Sequence, residues 1–324
     1  MNRSLYMLGI FWIISFHSII GQSSYIFHHL ETSSGLSNNS VKTVLRDSYG
    51  FLWIGTESGL NRYDGYGFKV YTTHSGVPNT LISNDIIGLQ EDGLRNIWVD
   101  LGYTYMVYKR DKDCFQSDTR QLLLSLGIQT DPNFKVFVDK NRDLWVFNKR
   151  KVFYYSVQKK HTFIFNLKIP IDDAITTDLG ENGEFLYAIQ RSGACWQLNK
   201  QSGAQTFIEL PNFIRQNIAN NSNKIYVDSN NGLLLYSSNA DQIFYKINPK
   251  QEWKSIELNS EIKTQSNVIT SIVEDQTGKI WIGTDHKGLF IYDKFKDEIK
   301  NIVSNPWIHT SLSSNSVHCL YRDN

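Results

Sequence analysis

A stretch near the start of the chain recurs near its end, and this repeat constrains the fold more than any other feature. Residues 36–64 read LSNNSVKTVLRDSYGFLWIGTESGLNRYD, and residues 265–293 read QSNVITSIVEDQTGKIWIGTDHKGLFIYD. In both copies an Asn is followed eight residues later by an Asp, and six residues after that by a Trp. We therefore expect a series of equivalent structural units rather than two unrelated domains.

Further copies of this frame fill the space between the two strong ones. The eight anchors with the Asp-to-Trp spacing are Asp47, Trp53, Asp92, Trp98, Asp139, Trp145, Asp275 and Trp281. Weaker copies are centred on Tyr187 and Tyr226, and a last one, residues 312–323, keeps only its first part. The period of about 40–55 residues, with short β-branched and aromatic runs such as LWIGT and FKVY, favours β-propeller blades over helical repeats.

The repeat count predicts an all-β fold, a seven-bladed β-propeller with six complete repeats and an incomplete last blade. Residues 25–30 are aromatic and apolar, so they could add an outer strand to that seventh blade. The eight anchors are expected to be structural, with the Asp in a turn and the Trp packed between blades. The predicted propeller domain comprises residues 24–324.

The first 23 residues have the pattern of a secretory signal peptide. Arg3 is followed by an apolar run, residues 5–20, and by the small residues Gly21 and Ser23. An uncleaved membrane anchor is the competing interpretation, but this run is shorter than the ~20 residues that a spanning helix needs. We expect cleavage after Ser23 and export, with no later segment spanning a membrane.

Charge and motif content argue against several function classes. The chain has 33 Lys and Arg against 32 Asp and Glu, so it offers no basic field for nucleic acid. Cys114, Cys195 and Cys319 lie far apart with no CxxC pair, and the histidines show no zinc-binding spacing. We expect no metal, no cofactor and no catalytic activity, although a propeller can gather carboxylates from different blades.

A binding face is the more favoured functional feature. In a propeller, the loops that enter each inner strand and the turns between the second and third strands lie on one face. The candidate ligand residues on that face are Glu57, Asn84, Asp100, Tyr103, Asp285 and His286. Amides, carboxylates and an aromatic ring suit a hydroxyl-rich ligand such as an oligosaccharide. The Asn that recurs in each frame, at 39, 84, 267 and 315, is more strongly expected to cap a blade turn.

The quoted motifs, LSNNSV, LWIGT, GLNRYDG and FKVY, resemble the two-component regulator propeller repeat. The resemblance is specific at Trp53 and Trp281, good at Trp98, and fades between residues 130 and 260. It implies the periplasmic sensor region of hybrid two-component systems from polysaccharide-degrading bacteria. In that family a signal peptide precedes two seven-bladed propellers, a β-sandwich, a membrane helix and a histidine kinase.

By this resemblance the chain is a periplasmic sensing propeller that recognises an oligosaccharide or supports the adjacent propeller that does. The full-length protein would lie in the inner membrane, and the downstream propeller and kinase would be its partners. Because neither follows residue 324, we expect a chain that is truncated before its output domains. A secreted protein-interaction scaffold and a propeller polysaccharide lyase are the alternatives.

Overall fold

The computed structural model describes residues 25–171, 176–218, 222–237, 242–248, 251–258 and 268–323. The predicted signal peptide, residues 1–23, lies outside these ranges, as does Asn267. Within them the strands form six antiparallel sheets, each built from strands that are consecutive in the sequence. These sheets are the blades of an all-β propeller, as the repeat predicts.

The first three blades follow a short 3₁₀ helix, Thr32–Ser34. Blade 1 contains β1 (Val41–Arg46), β2 (Leu52–Thr56), β3 (Gly59–Tyr63) and β4 (Phe68–Tyr71). Blade 2 contains β5 (Gly88–Glu91), β6 (Ile97–Asp100), β7 (Tyr105–Lys109) and β8 (Cys114–Gln116), and helix α1 (Arg120–Ser125) follows it. Blade 3 contains β9 (Lys135–Val138), β10 (Leu144–Ser156) and β11 (His161–Ile171).

The last three blades each have four strands. Blade 4 contains β12 (Thr176–Glu181), β13 (Phe185–Gln190), β14 (Cys195–Asn199) and β15 (Gln205–Ile208), and helix α2 (Asn212–Ile218) follows it. Blade 5 contains β16 (Asn223–Val227), β17 (Leu233–Ser237), β18 (Gln242–Lys246) and β19 (Lys254–Glu257). Blade 6 contains β20 (Val268–Glu274), β21 (Ile280–Asp285), β22 (Leu289–Asp293) and β23 (Glu298–Ile302).

The middle strand of blade 3 takes the place of two strands. In the sequence frame, β10 covers the positions of β2, the following turn and β3. Lys149 lies where blade 1 has that turn and has a φ of 51°, the left-handed conformation that reverses a chain. The ring of Trp145 stacks on Tyr154 with centroids 4.2 Å apart, so both halves of β10 belong to one packed blade.

The recurring Asp and Trp residues are joined by hydrogen bonds, which explains their six-residue spacing. One carboxylate oxygen of Asp47 accepts the backbone N–H groups of Tyr49 and Phe51, and the other accepts the indole N–H of Trp53 at 2.6 Å. The equivalent Asp-to-indole distances are 2.8 Å at Trp98, 3.0 Å at Trp145 and 2.8 Å at Trp281. The Asp therefore closes the turn between the first two strands and fixes the Trp of the second.

The hydrophobic core is divided among the interfaces between neighbouring blades. Trp53 of blade 1 is fully buried in one cluster with Ile86, Leu89 and Ile97 of blade 2. Four more clusters join blades 2 to 3, 3 to 4, 4 to 5 and 5 to 6. A β-carbon added at Gly55 would lie 2.6 Å from a side-chain carbon of Ile86, so the blades meet closely at this glycine.

Three interfaces also contain a buried ionic network. Each joins the turn Asp of one blade, the Glu that ends the inner strand of the next, and a cation after that blade's third strand. The networks are Asp47 with Glu91 and Arg110, Asp139 with Glu181 and Lys200, and Asp228 with Glu274 and Lys294. Their N···O distances are 2.7 to 3.0 Å, so each cation bridges two carboxylates across a blade boundary.

The predicted register of the fifth repeat is wrong. The repeat frame aligns Tyr226 with the Trp of the other copies, which lies on the second strand of its blade, but Tyr226 lies on the inner strand β16. The turn residue of this blade is Asp228, and Leu234 stands six residues later where other blades have Trp. The carboxylate of Asp228 accepts the hydroxyl of Tyr245 at 2.7 Å instead of an indole N–H. In blade 4, Tyr187 lies on the second strand as predicted, with Asn182 in place of the Asp.

Six blades are present, and the predicted partial seventh blade is not seen as a strand in the described residues. Residues 310–323 nevertheless lie against blade 6. The backbone N–H of Val317 donates to the carbonyl of Thr284 at 2.8 Å, as that of Ile86 donates to Thr56 at 3.0 Å between blades 1 and 2. Asp323 pairs with Arg46 of blade 1, so this segment contacts both ends of the blade series. The seventh blade stays a prediction.

Candidate functional site

Antiparallel pairing places the candidate ligand residues at one end of the blades. In blade 1 the first residue of β1, Val41, pairs with the last residue of β2, Thr56. The loop that enters a blade and the turn between its second and third strands therefore share a face, which we call the loop face. Connections with α1 and α2 also run over this face, because each joins an outer strand to the next inner strand.

Glu57 takes part in a charged group that joins blades 1 and 2. The ammonium of Lys42 lies 3.4 Å from the carboxylate of Glu57 and 2.7 Å from that of Asp85. The hydrogen bond to Asp85 holds the pKa of Lys42 above its ordinary value of 10.5. Both carboxylates are about half exposed, so the group can offer oxygen acceptors to a ligand on the loop face.

Asp285 and His286 form a second polar group, on blade 6. One imidazole nitrogen of His286 lies 3.4 Å from the carboxylate of Asp285 and 3.3 Å from the hydroxyl of Ser316. His286 has a φ of 78°, a left-handed conformation that is uncommon for a residue with a β-carbon. The turn therefore fixes the imidazole beside the segment that packs on blade 6.

Asp100 is the last residue of β6, and Tyr103 lies in the turn between β6 and β7. The carboxylate of Asp100 accepts the backbone N–H of Gly102 at 2.7 Å, which stabilises the turn. Tyr103 is 71% exposed, so its ring is open to stacking by a ligand.

Asn84 differs from the other candidates because its carbonyl oxygen is already used. It accepts the backbone N–H of Thr73 at 2.7 Å. The side-chain oxygens of Asn39 and Asn315 accept backbone N–H groups in the same way, at 2.9 and 2.7 Å. This repetition favours a turn-capping role for the recurring Asn.

A large cavity, which sequence reasoning missed, opens on the loop face between blades 2 and 3. Its volume is about 1260 Å³, and it lies between the connection of residues 117–134 and the tip of blade 3. Thr104, next to Tyr103, lines it, so the cavity adjoins a candidate ligand residue. Two sequence signals could have found it: the long irregular connection and the basic run at residues 149–151.

Metal chemistry finds no support in the part of the chain that the structure describes. There, no three His, Cys, Asp or Glu residues are grouped closely enough to hold a metal ion. Burial raises the pKa of the Cys195 thiol to about 12, so this cysteine is not a reactive thiolate. In the same ranges, no helix has the length and apolar character needed to cross a membrane.

The comparisons with known proteins agree with the repeat frame. Residues 35–58 and 264–286, in blades 1 and 6, match the two-component regulator propeller family. Two segments of this β-propeller are thus similar to two-component regulator propeller repeats. A segment of 69 residues is 39% identical to Histidine kinase P4 of Formosa agariphila and covers 20% of this chain and 5% of that protein.

Solved structures share the fold over most of the chain. The extracellular domain of a hybrid two component system from B. thetaiotaomicron is 22% identical with a TM-score of 0.66, and the match covers 93% of this chain and 39% of that one. A second such domain from B. thetaiotaomicron is 18% identical, with the same TM-score and coverages of 93% and 38%. Virginiamycin B lyase from Staphylococcus aureus is 10% identical with a TM-score of 0.53, and the coverages are 81% and 83%. These likenesses show a common propeller fold, and this chain spans about two fifths of the two extracellular domains.

Proposed function

We propose that this chain is a ligand-sensing propeller in the periplasmic part of a hybrid two-component sensor. We propose further that it recognises an oligosaccharide. The match of residues 35–58 and 264–286 to the two-component regulator propeller family carries this proposal. The fold shared with two extracellular domains of hybrid two component systems supports it. The signal would then pass to downstream propeller and kinase domains of the whole protein.

The loop face has the chemistry that an oligosaccharide needs. Sugar hydroxyls bind to carboxylates, which Glu57 and Asp285 supply, and sugar rings stack on aromatic side chains, which Tyr103 supplies. These groups come from turns that vary from blade to blade, whereas the Asp–Trp pairs are used for packing. Ligand-biased packing of this propeller against its neighbours would carry the signal.

Calorimetric titration with a panel of neutral and acidic oligosaccharides tests ligand recognition. Replacing Tyr103 by Ala should weaken binding about fivefold, the loss expected for one aromatic contact. Tyr66→Ala is the matched control, because Tyr66 is 98% exposed at the opposite end of blade 1. If no oligosaccharide binds, or if both variants lose the same affinity, recognition at the loop face is wrong and a scaffold role is favoured.

The coding sequence downstream of residue 324 tests the sensor assignment separately. An in-frame second repeat array, a membrane segment and a kinase would support it. A stop codon with no such sequence nearby would contradict it, whatever the titrations show.

A further inference from the structure

We propose that the cavity between blades 2 and 3 binds the acidic groups of an anionic oligosaccharide, through carboxylate or sulfate. This inference rests on the proposed function and adds a ligand class and a location to it. The volume of about 1260 Å³ exceeds the upper end of the ~300–1,000 Å³ usual for small-molecule sites, so an oligosaccharide of two or three rings fits.

The charged groups of the cavity favour an anion. Among the described residues that line it, three are cations, Arg120, Lys149 and Lys151, and two are acids, Asp118 and Asp131. The excess is a single positive charge, so the preference for an anion depends on which of these groups already have partners. The basic run at residues 149–151 lies at the tip of blade 3, where blade 1 has the turn with Glu57.

Both acids of the cavity are already engaged. A carboxylate oxygen of Asp118 accepts the backbone N–H of Arg120 at 3.0 Å. This bond uses the backbone of Arg120 and does not involve its guanidinium. Asp131 lies 3.6 Å from the ammonium of Lys149, and both side chains are more than half exposed. Exposed pairs of this kind are weak, so a ligand anion can replace Asp131 as the partner of Lys149.

Lys151 and the guanidinium of Arg120 are the main anchoring groups. Within the described residues, neither cation has an acidic side chain within ion-pair distance, and both are exposed. A guanidinium binds carboxylate or sulfate through two parallel N–H donors, while an ammonium acts as a point charge. Because both cations line the same cavity, a ligand with more than one acidic group could pair with each of them.

An apolar wall completes the site. Leu124, Phe153 and Ile164 line the cavity together with Phe134. The ring of Phe134 stacks on Tyr105 of blade 2 at 5.7 Å between centroids, so its position is fixed before any ligand binds. A sugar ring could pack on this wall while its acidic group reaches the cations.

The test is calorimetric titration of the full chain with three probes: trigalacturonic acid for carboxylates, sulfated neocarrabiose for sulfate, and galactotriose as the neutral control. At least one acidic probe should bind about tenfold or more tightly than galactotriose. Arg120→Gln and Lys151→Gln should each weaken that binding about tenfold. Lys140→Gln is the matched control, because it removes the same charge from blade 3 at the end opposite the cavity.

Equal affinities for acidic and neutral probes would overturn the proposal, as would equal losses in all three variants. Binding of galactotriose alone would leave the proposed oligosaccharide recognition standing and remove the acidic specificity. If a variant fails to fold, the salt dependence of binding by the unaltered chain provides the test instead. Raising salt from about 50 to about 200 mM must weaken the acidic probe and spare the neutral one, and equal weakening would contradict the proposal.

Discussion

The buried cation Lys294 should contribute several kcal/mol to the stability of the ring. Its side chain is 3% exposed, and it lies 2.8 Å from the carboxylate of Asp228 and 2.7 Å from that of Glu274. Replacing Lys294 by Met leaves two carboxylates buried between blades 5 and 6 without their cation. Removing one partner of a buried ion pair costs about 3–5 kcal/mol, and we expect the free energy of unfolding to fall by that amount.

The pKa shifts in this network set the pH range of the effect. Burial lowers the pKa of Lys294, but its bonds to Asp228 and Glu274 outweigh burial and hold it above 10.5. Burial raises the pKa of Asp228, but bonds from Lys294 and Tyr245 hold it below 3.8. The contribution of Lys294 is therefore present below pH 10.5 and lost as pH rises beyond its folded pKa. That of Asp228 is present above pH 3.8 and lost as pH falls through its lowered pKa.

Urea unfolding followed by tryptophan fluorescence measures the loss, with Lys296→Met as the control. Lys296 is exposed two residues away, so its replacement should change stability by no more than about 0.5 kcal/mol. The deficit of Lys294→Met should shrink as pH is lowered, because the uncompensated carboxylates then take up protons. A deficit below about 1 kcal/mol at pH 7, or one equal to that of the control, would refute the reasoning.

Three further experiments, two substitutions and one sequencing measurement, have defined outcomes. Gly55→Ala would place a β-carbon 2.6 Å from its neighbours and should cost about 1–3 kcal/mol in urea unfolding, while Gly67→Ala, which meets nothing within 4 Å, should be nearly neutral. Burial raises the pKa of Asp113, but bonds from Lys69 and two tyrosine hydroxyls outweigh it and lower that pKa to about 2. Because the Asp113 side chain is 40% exposed, Asp113→Asn should cost only about 1 kcal/mol at pH 7 and less as pH falls from about 4 towards 2. Amino-terminal sequencing of the exported protein should begin at Ser24, and a start at Met1 would contradict the signal peptide.

The sequence predicted those blades in which both the turn Asp and the Trp six residues later are present. In blades 1, 2, 3 and 6 the Asp caps the turn and bonds the Trp, so the six-residue spacing is visible as letters. Blade 5 keeps Asp228 but replaces the Trp by Leu234 and recruits Tyr245 from the next strand. That partner lies seventeen residues along the chain, so no fixed local spacing reveals it. Gly232 and Tyr236 follow Tyr226 at the same offsets, six and ten, at which Gly59 and Tyr63 follow Trp53. The frame therefore aligns Tyr226 with the Trp, although Tyr226 lies one strand earlier in its blade.

The candidate site was only partly predictable for a different reason. Turn residues such as Glu57 and His286 follow the repeat, and antiparallel pairing fixes the end at which they lie. The cavity depends on how residues 117–134 fold over blade 3, and no repeat describes that connection. Its shape arises from contacts between segments far apart in the sequence, such as the stacking of Tyr105 on Phe134.

The capping bonds of the recurring Asn have a consequence for how such proteins diversify. Because Asn39, Asn84 and Asn315 use their oxygens to hold the backbone, the residues that build the ring and those free to meet a ligand are largely separate sets. In the connection of residues 117–134, Leu123 and Ile128 are buried between blades 2 and 3, whereas exposed positions such as Arg120 and Asp131 can change charge without altering that packing. Selection could therefore exchange specificity among such chains by rewriting loops alone, while the ring stays the same.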